Sequence, residues 1–489
     1  MKTITIKGFL IFMFLALTNA CAVGEKDFLD AYPPHVETPT NTRGDINQSN
    51  KSLFPVLKDK IVTREFVPFI LERSLDRNVF KDKDSYTLTT VTKNGRNLMY
   101  VANFDKGGWA IVSGRFHVDD LILAYGTEGE LDPSNVDSPE VRFWLEKAES
   151  MVEQEMIEDE ESASEETFRS GPYDNEPYVW LRVPIGYQYS SEPYENIAPL
   201  TETEWGQGST WNFACPYYPN TSRRCVLGCT AVAYSQMLYY LHYKIGIPSG
   251  LYHQIDTSYT WDASNQYFTS HFSRSDYNSQ SPRWDQMQKH WYFFYTNNVK
   301  YTGWFILDVA DRIGTSFALS GSPAFFRKNL FSSLGINCTL IDTFNDYITR
   351  NSIRDEMPVL VSGYDSNITR SNDGEGGHAW LIDGLQSTRY TEDYQQYLRI
   401  IPTDSLSFYP DLNYDMILTD SQKQFLYPDI EEYETIHEYN YSYSYLYSMN
   451  WGWNGSYNGY YSSAPLEWNP GNSVYNDRLK MIYGFSVDE

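Results

Sequence analysis

Between residues 98 and 125, apolar residues cluster in short runs of strand length. Leu98–Phe104 and Trp109–Ser113 read as two strands, joined by Asp105-Lys106-Gly107-Gly108, whose glycines suit a hairpin turn. Leu121–Tyr125 reads as a further strand, and the stretch from Val141 to Met156 reads as a helix. Upstream, Ile61, Phe66, Phe69, Ile70 and Leu71 fall at roughly helical intervals, with Pro68 placed to kink or interrupt that helix. These elements predict a small α+β domain over residues 53–157. A polar run follows, Glu158-Asp159-Glu160-Glu161-Ser162-Ala163-Ser164-Glu165-Glu166 and then Arg169-Ser170-Gly171-Pro172. Such a run reads as a solvated linker and a place where proteases cut, here over residues 158–172.

The remaining stretch, 173–489, mixes helical and strand patterns and reads as one large α+β domain. Val232, Ala233, Met237, Tyr240 and Leu241 fall on helical steps behind Gly228, so a helix begins near Cys229 and ends before Pro248. Gly335–Ile341 is apolar and places Cys338 at a core position. Residues 386–449 hold twelve tyrosines, with Tyr439, Tyr441, Tyr443, Tyr445 and Tyr447 on alternate positions. Alternation of this kind makes a strand with one aromatic face, either half-buried or open as a stacking ladder for a ligand. No repeat of solenoid period is present.

Length and charge narrow the picture. A chain of 489 residues exceeds one compact core, and its aromatic content of 16% is not that of a disordered protein. The formal charge of −26 argues against nucleic-acid binding, because a phosphate backbone would be repelled. At the N-terminus, Lys2 and Lys7 precede the apolar run Gly8–Leu17, too short for a permanent membrane span, and small residues follow at Thr18, Ala20 and Ala22. Residues 1–22 therefore read as a secretory signal, and residues 23–52, rich in Pro, Thr and Asn, as a tether. Either Ala20-Cys21-Ala22 marks ordinary cleavage, or Cys21 becomes the lipidated first residue of a surface or periplasmic lipoprotein. The other cysteines are Cys215, Cys225, Cys229 and Cys338, too few for a disulfide scaffold and in no zinc-ligand spacing with the histidines. Cys215 and Cys225 are spaced to close a short disulfide loop or to stand as two buried thiols.

Four segments carry candidate chemistry. A thiol at a helix N-terminus, as at Cys229, meets the positive end of the dipole and open backbone N–H groups, which favour thiolate. Gly376-Gly377-His378-Ala379-Trp380-Leu381-Ile382-Asp383-Gly384 sets a histidine between glycines and a buried strand, a setting the other histidines lack. In Met449-Asn450-Trp451-Gly452-Trp453, an Asn carbonyl can accept the imidazole Nδ1–H while Trp451 shields that bond from water. In Trp205-Gly206-Gln207-Gly208, the Gln207 amide can supply one oxyanion donor, with the Cys229 N–H as the other. The order Gln, Cys, His, Asn-Trp is what papain-like thiol chemistry requires.

With these residues in view, the chain resembles the streptopain family of secreted bacterial cysteine proteases. The resemblance rests on Gly228-Cys229-Thr230-Ala231-Val232-Ala233, Pro358–Tyr364, Gly377–Gly384 and Asn450-Trp451-Gly452-Trp453, and covers most of residues 195–489. It extends more weakly over residues 85–156, which are similar to the family's inhibitory pro-domain, most clearly at Asn103-Phe104-Asp105 and Gly108–Ser113. The resemblance implies a papain-like fold behind an α+β pro-domain that acts as an intramolecular inhibitor. It makes Cys229 the nucleophile, His378 the base, Gln207 the oxyanion donor, Asn450 the orienter of His378 and Trp451 its shield. It also implies an exported endopeptidase acting on protein or peptide substrates, with no metal or organic cofactor. Two features depart from the family: Thr230-Ala231-Val232 replaces its usual pattern after the cysteine, and the 72-residue interval from His378 to Asn450 exceeds its usual length. Residues 386–449 are thus an insertion between two active-site elements, placed to form a lid. Two other functions use the same features: an inactive surface protein whose tyrosine-rich insertion binds a glycan or host ligand, and a transferase passing the acyl group to an amine.

Overall fold

The computed structural model describes residues 4–5, 52–54, 60–75, 85–117, 121–165, 178–208, 210–247, 251, 257–272, 282–291, 294, 296–319, 326–364, 377–402, 416–417, 435–467 and 479–487. The expected leader beyond Ile4–Thr5, the cleavage or lipidation point at Cys21, nearly all of the tether and residues 166–172 of the linker lie outside them.

The N-terminal part is α+β. Helix α1 (Val67–Ser74) takes Pro68 in its first turn, so the proline starts the helix instead of interrupting it, as fits a residue without an N–H to donate. Strands β1 (Ser85–Lys93), β2 (Arg96–Phe104), β3 (Trp109–Ser113) and β4 (Ile122–Gly126) pair antiparallel in order. The Asp105–Gly108 hairpin is where the sequence places it; β1 is an addition to the three strands legible from apolar runs. Helix α2 (Pro139–Glu165) runs beyond the expected boundary. Its acidic end is held down by Arg115 and Lys60 on Asp159, at 2.6 and 2.9 Å, and by Arg96 on Glu160 at 2.8 Å. The start of the acidic run is therefore a helix end with cationic partners.

The second part begins with the long strand β5 (Tyr178–Ile197), followed by helix α3 (Cys229–Lys244), the hairpin β6 (Thr257–Asp262) and β7 (Tyr267–Phe272), and helix α4 (Asn297–Arg312). After the short α5 (Asn329–Ser333) come β8 (Ile336–Ile341), α6 (Asp346–Arg354), β9 (Val359–Tyr364) and β10 (Gly377–Pro402). The chain closes with β11 (Thr435–Asn450), β12 (Gly459–Ser462), α7 (Ala464–Glu467) and β13 (Lys480–Val487). One sheet runs through both parts in the order β1-β2-β3-β4-β12-β11-β10-β9-β13-β8, and β5 pairs with the outer length of β10. The junction between the parts is β4 against β12, with Ala124 opposite Tyr461 and Tyr125 opposite Tyr460.

The sheet of the second part has an apolar core on each face. On one side, α3 and α4 bury Val232, Met237, Leu241, Phe305 and Val309 against Ala379 and Leu381. On the other, α2 of the N-terminal part brings Trp144, Leu145, Ala148 and Val152 onto Trp380, Ile382, Met449, Trp451 and Tyr461. A further core under α1 belongs to the N-terminal part. The insertion takes shape from the register: β10 pairs with β11 from Leu381–Asn450 out to Tyr397–Thr435, an arm of roughly 50 Å at ~3.4 Å per residue. Its described length follows the paired strands away from His378, and residues 403–415 and 418–434 of the insertion lie outside the described residues. Among the described residues, no helix is long and apolar enough to cross a membrane.

Candidate active site

Helix α3 is buried on nearly every side from Cys229 to Leu241, which fixes its position under the sheet. Gly228 caps it with φ +92° and ψ 139°, a conformation essentially confined to glycine, and so the chain turns sharply into the helix just before the thiol. Two backbone bonds secure the approach: Val226 N–H to Ala318 C=O at 2.9 Å and Leu227 N–H to Gln207 C=O at 2.8 Å. The second ties Gln207 two residues upstream of Cys229. Gln207 is half-buried and lines a cleft of about 750 Å³, together with Gly206, Trp453, Asn454 and Asp137.

His378 lies at the start of β10, opposite Gly363 of β9. Its ring contacts the Cys229 thiol, and Sγ, a ring nitrogen and a Glu140 carboxylate oxygen lie within 4.8 Å of one another. Glu140 belongs to the first turn of α2, in the N-terminal part. Its Oε1 stands 3.5 Å from His378 Nδ1, an ion-pair contact longer than a good hydrogen bond. Oε2 accepts from Ser138 Oγ at 2.9 Å and Trp453 Nε1 at 2.7 Å. Burial works against the imidazolium, but the Cys229 and Glu140 contacts outweigh it and raise the His378 pKa to about 10. Glu140 is fully buried against the pair, Cys229 is 9% exposed and the His378 side chain 17%, and the cleft beside them is lined by Gln207 and Trp453.

Phe143, one turn along α2, fills the space beside Gly363, where a Cβ would stand 2.9 Å from its ring. Tyr457 Oη donates to Asp137 at 2.7 Å, and Trp144 Nε1 donates to the Ser462 carbonyl at 3.1 Å. Tyr461 packs between Trp144, Trp109 and Trp451, with ring centroids 5.0, 5.6 and 5.1 Å away. The N-terminal part therefore occupies the site as well as flanking it.

Asn450 does not meet His378. It pairs with Leu381, three residues further along β10, and side chains alternate faces along a strand. Asn450 and Leu381 thus face α3, whereas His378, Trp380 and Trp451 face the N-terminal part. The Asn450 amide donates to the Thr203 carbonyl at 2.6 Å and accepts from Gln236 Nε2 at 3.2 Å and Gly452 N–H at 3.3 Å. Trp451 is fully buried beside Trp380, and the tryptophan reaching the site is Trp453. Sequence reasoning also missed Asp383, which accepts from Ser448 Oγ at 2.8 Å and from the backbone and side chain of Thr201. Burial raises its pKa to about 6. Cys215 and Cys225 are both free, buried thiols, with pKa values pushed up by desolvation.

A thiol at a helix N-terminus beside an imidazole, with an N-terminal domain seated on both, defines a cysteine peptidase held as a zymogen. Residues 205–461 match the Peptidase C10 family and residues 67–152 match the Spi protease inhibitor. The chain belongs to the Peptidase C10 family, that of streptopain, and carries an inhibitor domain ahead of its protease domain. No curated protein matches it. Among solved structures it is similar to Prevotella intermedia prointerpain A, with 16% identity over 83% of this chain and 100% of that one, at a TM-score of 0.47. The active interpain A cysteine protease of the same organism is 19% identical over 59% of this chain and 96% of that one, at a TM-score of 0.35.

Proposed function

We propose that the protein is an exported endopeptidase with Cys229 as nucleophile and His378 as general base and acid, activated by cutting between α2 and β5. The observation that carries this reading is the contact between the His378 ring and a thiol held at the N-terminus of a buried helix. The Cys229 thiolate attacks the peptide carbonyl, and the oxyanion is received by the Cys229 N–H, in the outward-pointing first turn of α3, and by the Gln207 amide. The His378 imidazolium then protonates the leaving amine, and water directed by the neutral ring hydrolyses the thioester. Asn450 and Asp383 are positioning residues, which tie the 200–203 segment, α3 and β11 into the floor under the nucleophile.

The leader pattern of residues 1–22 supports export, and the cleft along Gly206–Gly208 and Gly452–Asn458 supports binding of an extended chain cut internally. The test follows full-length precursor without its leader by mass over time, beside a Cys229→Ala copy. The reading expects the wild type to trim itself within about residues 166–177, before β5 begins, while the variant stays whole. If both stay whole, and trimmed wild type fails to cleave casein, the reading fails.

A further inference from the structure

The side chains that close the precursor's site are also a set of metal ligands. Cys229 supplies a sulfur, His378 a ring nitrogen and Glu140 a carboxylate oxygen, all within 4.8 Å of one another. Zinc holds such atoms at about 2.0–2.3 Å in a tetrahedron, which sets them roughly 3.3–3.8 Å apart. The nitrogen–oxygen pair already stands at 3.5 Å, and the sulfur lies within 4.8 Å of both. A second observation comes from Glu140 itself. The residue has no exposed surface, and its Oε1 is buried without a hydrogen bond while aimed at His378. Its Oε2 is fixed by Ser138 and Trp453, the kind of outer partner that orients a ligating carboxylate.

We propose that the precursor binds one Zn²⁺ through Cys229, His378 and Glu140, with water in the fourth position, and that the ion locks the zymogen. Binding takes thiolate and neutral imidazole, so the proton held by the pair passes to solvent and no redox change occurs. The protease part owns two of the ligands and the inhibitor domain the third. Zinc therefore binds the precursor more tightly than the trimmed enzyme, and by linkage it strengthens the seating of the inhibitor domain. The three positions are too far apart in the chain for any local spacing to show this set.

The test titrates intact precursor with Zn²⁺ by calorimetry and with Co²⁺ by absorption, in the cold, with its mass checked before and after. Glu140→Gln and Cys229→Ser precursors run beside it. The glutamine keeps an acceptor for Trp453 and Ser138, but its amide is a poor zinc ligand. The expected result is one equivalent bound, with a sulfur-to-cobalt charge-transfer band that Cys229→Ser abolishes. Glu140→Gln should weaken Zn²⁺ by about tenfold or more. A band that survives Cys229→Ser, or equal affinity in wild type and Glu140→Gln, overturns the proposal. Should Glu140→Gln fail to fold, Cys229→Ser decides alone. These readouts do not use hydrolysis, so loss of zinc binding and loss of protease activity are separable outcomes.

Discussion

The Glu140–His378 contact brings the N-terminal part's carboxylate onto the imidazole. A base whose pKa is raised on folding stabilises the docked state fully below its unfolded value of 6.5 and loses that stability as pH rises through about 10. The imidazolium should thus persist through neutral pH in the precursor and titrate in the alkaline range. In Glu140→Gln precursor, NMR of the His378 ring should show its pKa falling, and self-trimming should quicken. An unchanged titration would mean that the carboxylate does not hold the ring. Asp383 gives the opposite lesson about charge. Its folded pKa lies above its usual 3.8, so the stability it contributes is lost as pH rises from 3.8 through about 6. That loss is roughly 3 kcal/mol from the shift alone. Asp383→Asn should flatten denaturant stability across that window, where wild type declines.

At this scale the sequence was informative where the local setting carries the chemistry. Cys229 and His378 were legible because a glycine-led helix start and a glycine-flanked strand are local patterns. Glu140 was not, since it meets Trp453 across 313 residues. The Asn450 assignment turned on the parity of the β10–β11 register, which the sequence does not display.

Among the elements, α2 does most to hold the precursor shut. Its first turn places Glu140, its second Phe143 and Trp144, and its last turns carry Asp159 and Glu160 to their cationic partners. Trp144 is fully buried against Tyr461, so Trp144→Ala should cost about 3–5 kcal/mol and show as a lower melting temperature and faster trimming of the precursor. Lys147, on the same helix, is 3% exposed, and burial lowers its pKa to about 8. A base with a depressed pKa contributes stability above its unfolded 10.5 that is lost as pH falls through about 8. Lys147→Met should therefore stabilise the precursor at pH 7, read as a higher melting temperature and slower trimming. The hairpin, the strand pattern and the helix behind Gly228 followed from periodicity and turn chemistry. The extra turns of α2 did not, because helix ends rich in acid look like linker until their cationic partners are known. The start at Pro68 was misread for a related reason: a proline breaks a helix interior but suits a first turn.

For the whole molecule, the continuous sheet and the shared apolar face make protease and inhibitor one folded unit before cleavage. Trp380, Met449, Trp451 and Tyr461 contribute to the same core as Trp109 and Trp144. The tyrosine arm joins this arrangement only at its base, where Tyr447 lies in the shared core and Tyr390 in the core under α1, whereas Tyr441 is 58% exposed and Tyr443 stacks on Tyr445 with centroids 6.4 Å apart. Its direction emerged only from the pairing of β10 with β11 and β5, since spacing along the chain placed the insertion between two site elements without orienting it.

The central claim is that Cys229 is the nucleophile and that Glu140 and its helix keep it sealed until cleavage. The direct measurement is the rate at which a thiol-directed epoxide labels Cys229, followed by intact mass in precursor and trimmed enzyme. Fast labelling of the trimmed enzyme at one site, with precursor slower by about a hundredfold or more, is the predicted result, since the buried carboxylate must leave before the reagent enters. Precursor that labels as fast as trimmed enzyme, or trimmed enzyme that labels elsewhere than Cys229, would contradict the account.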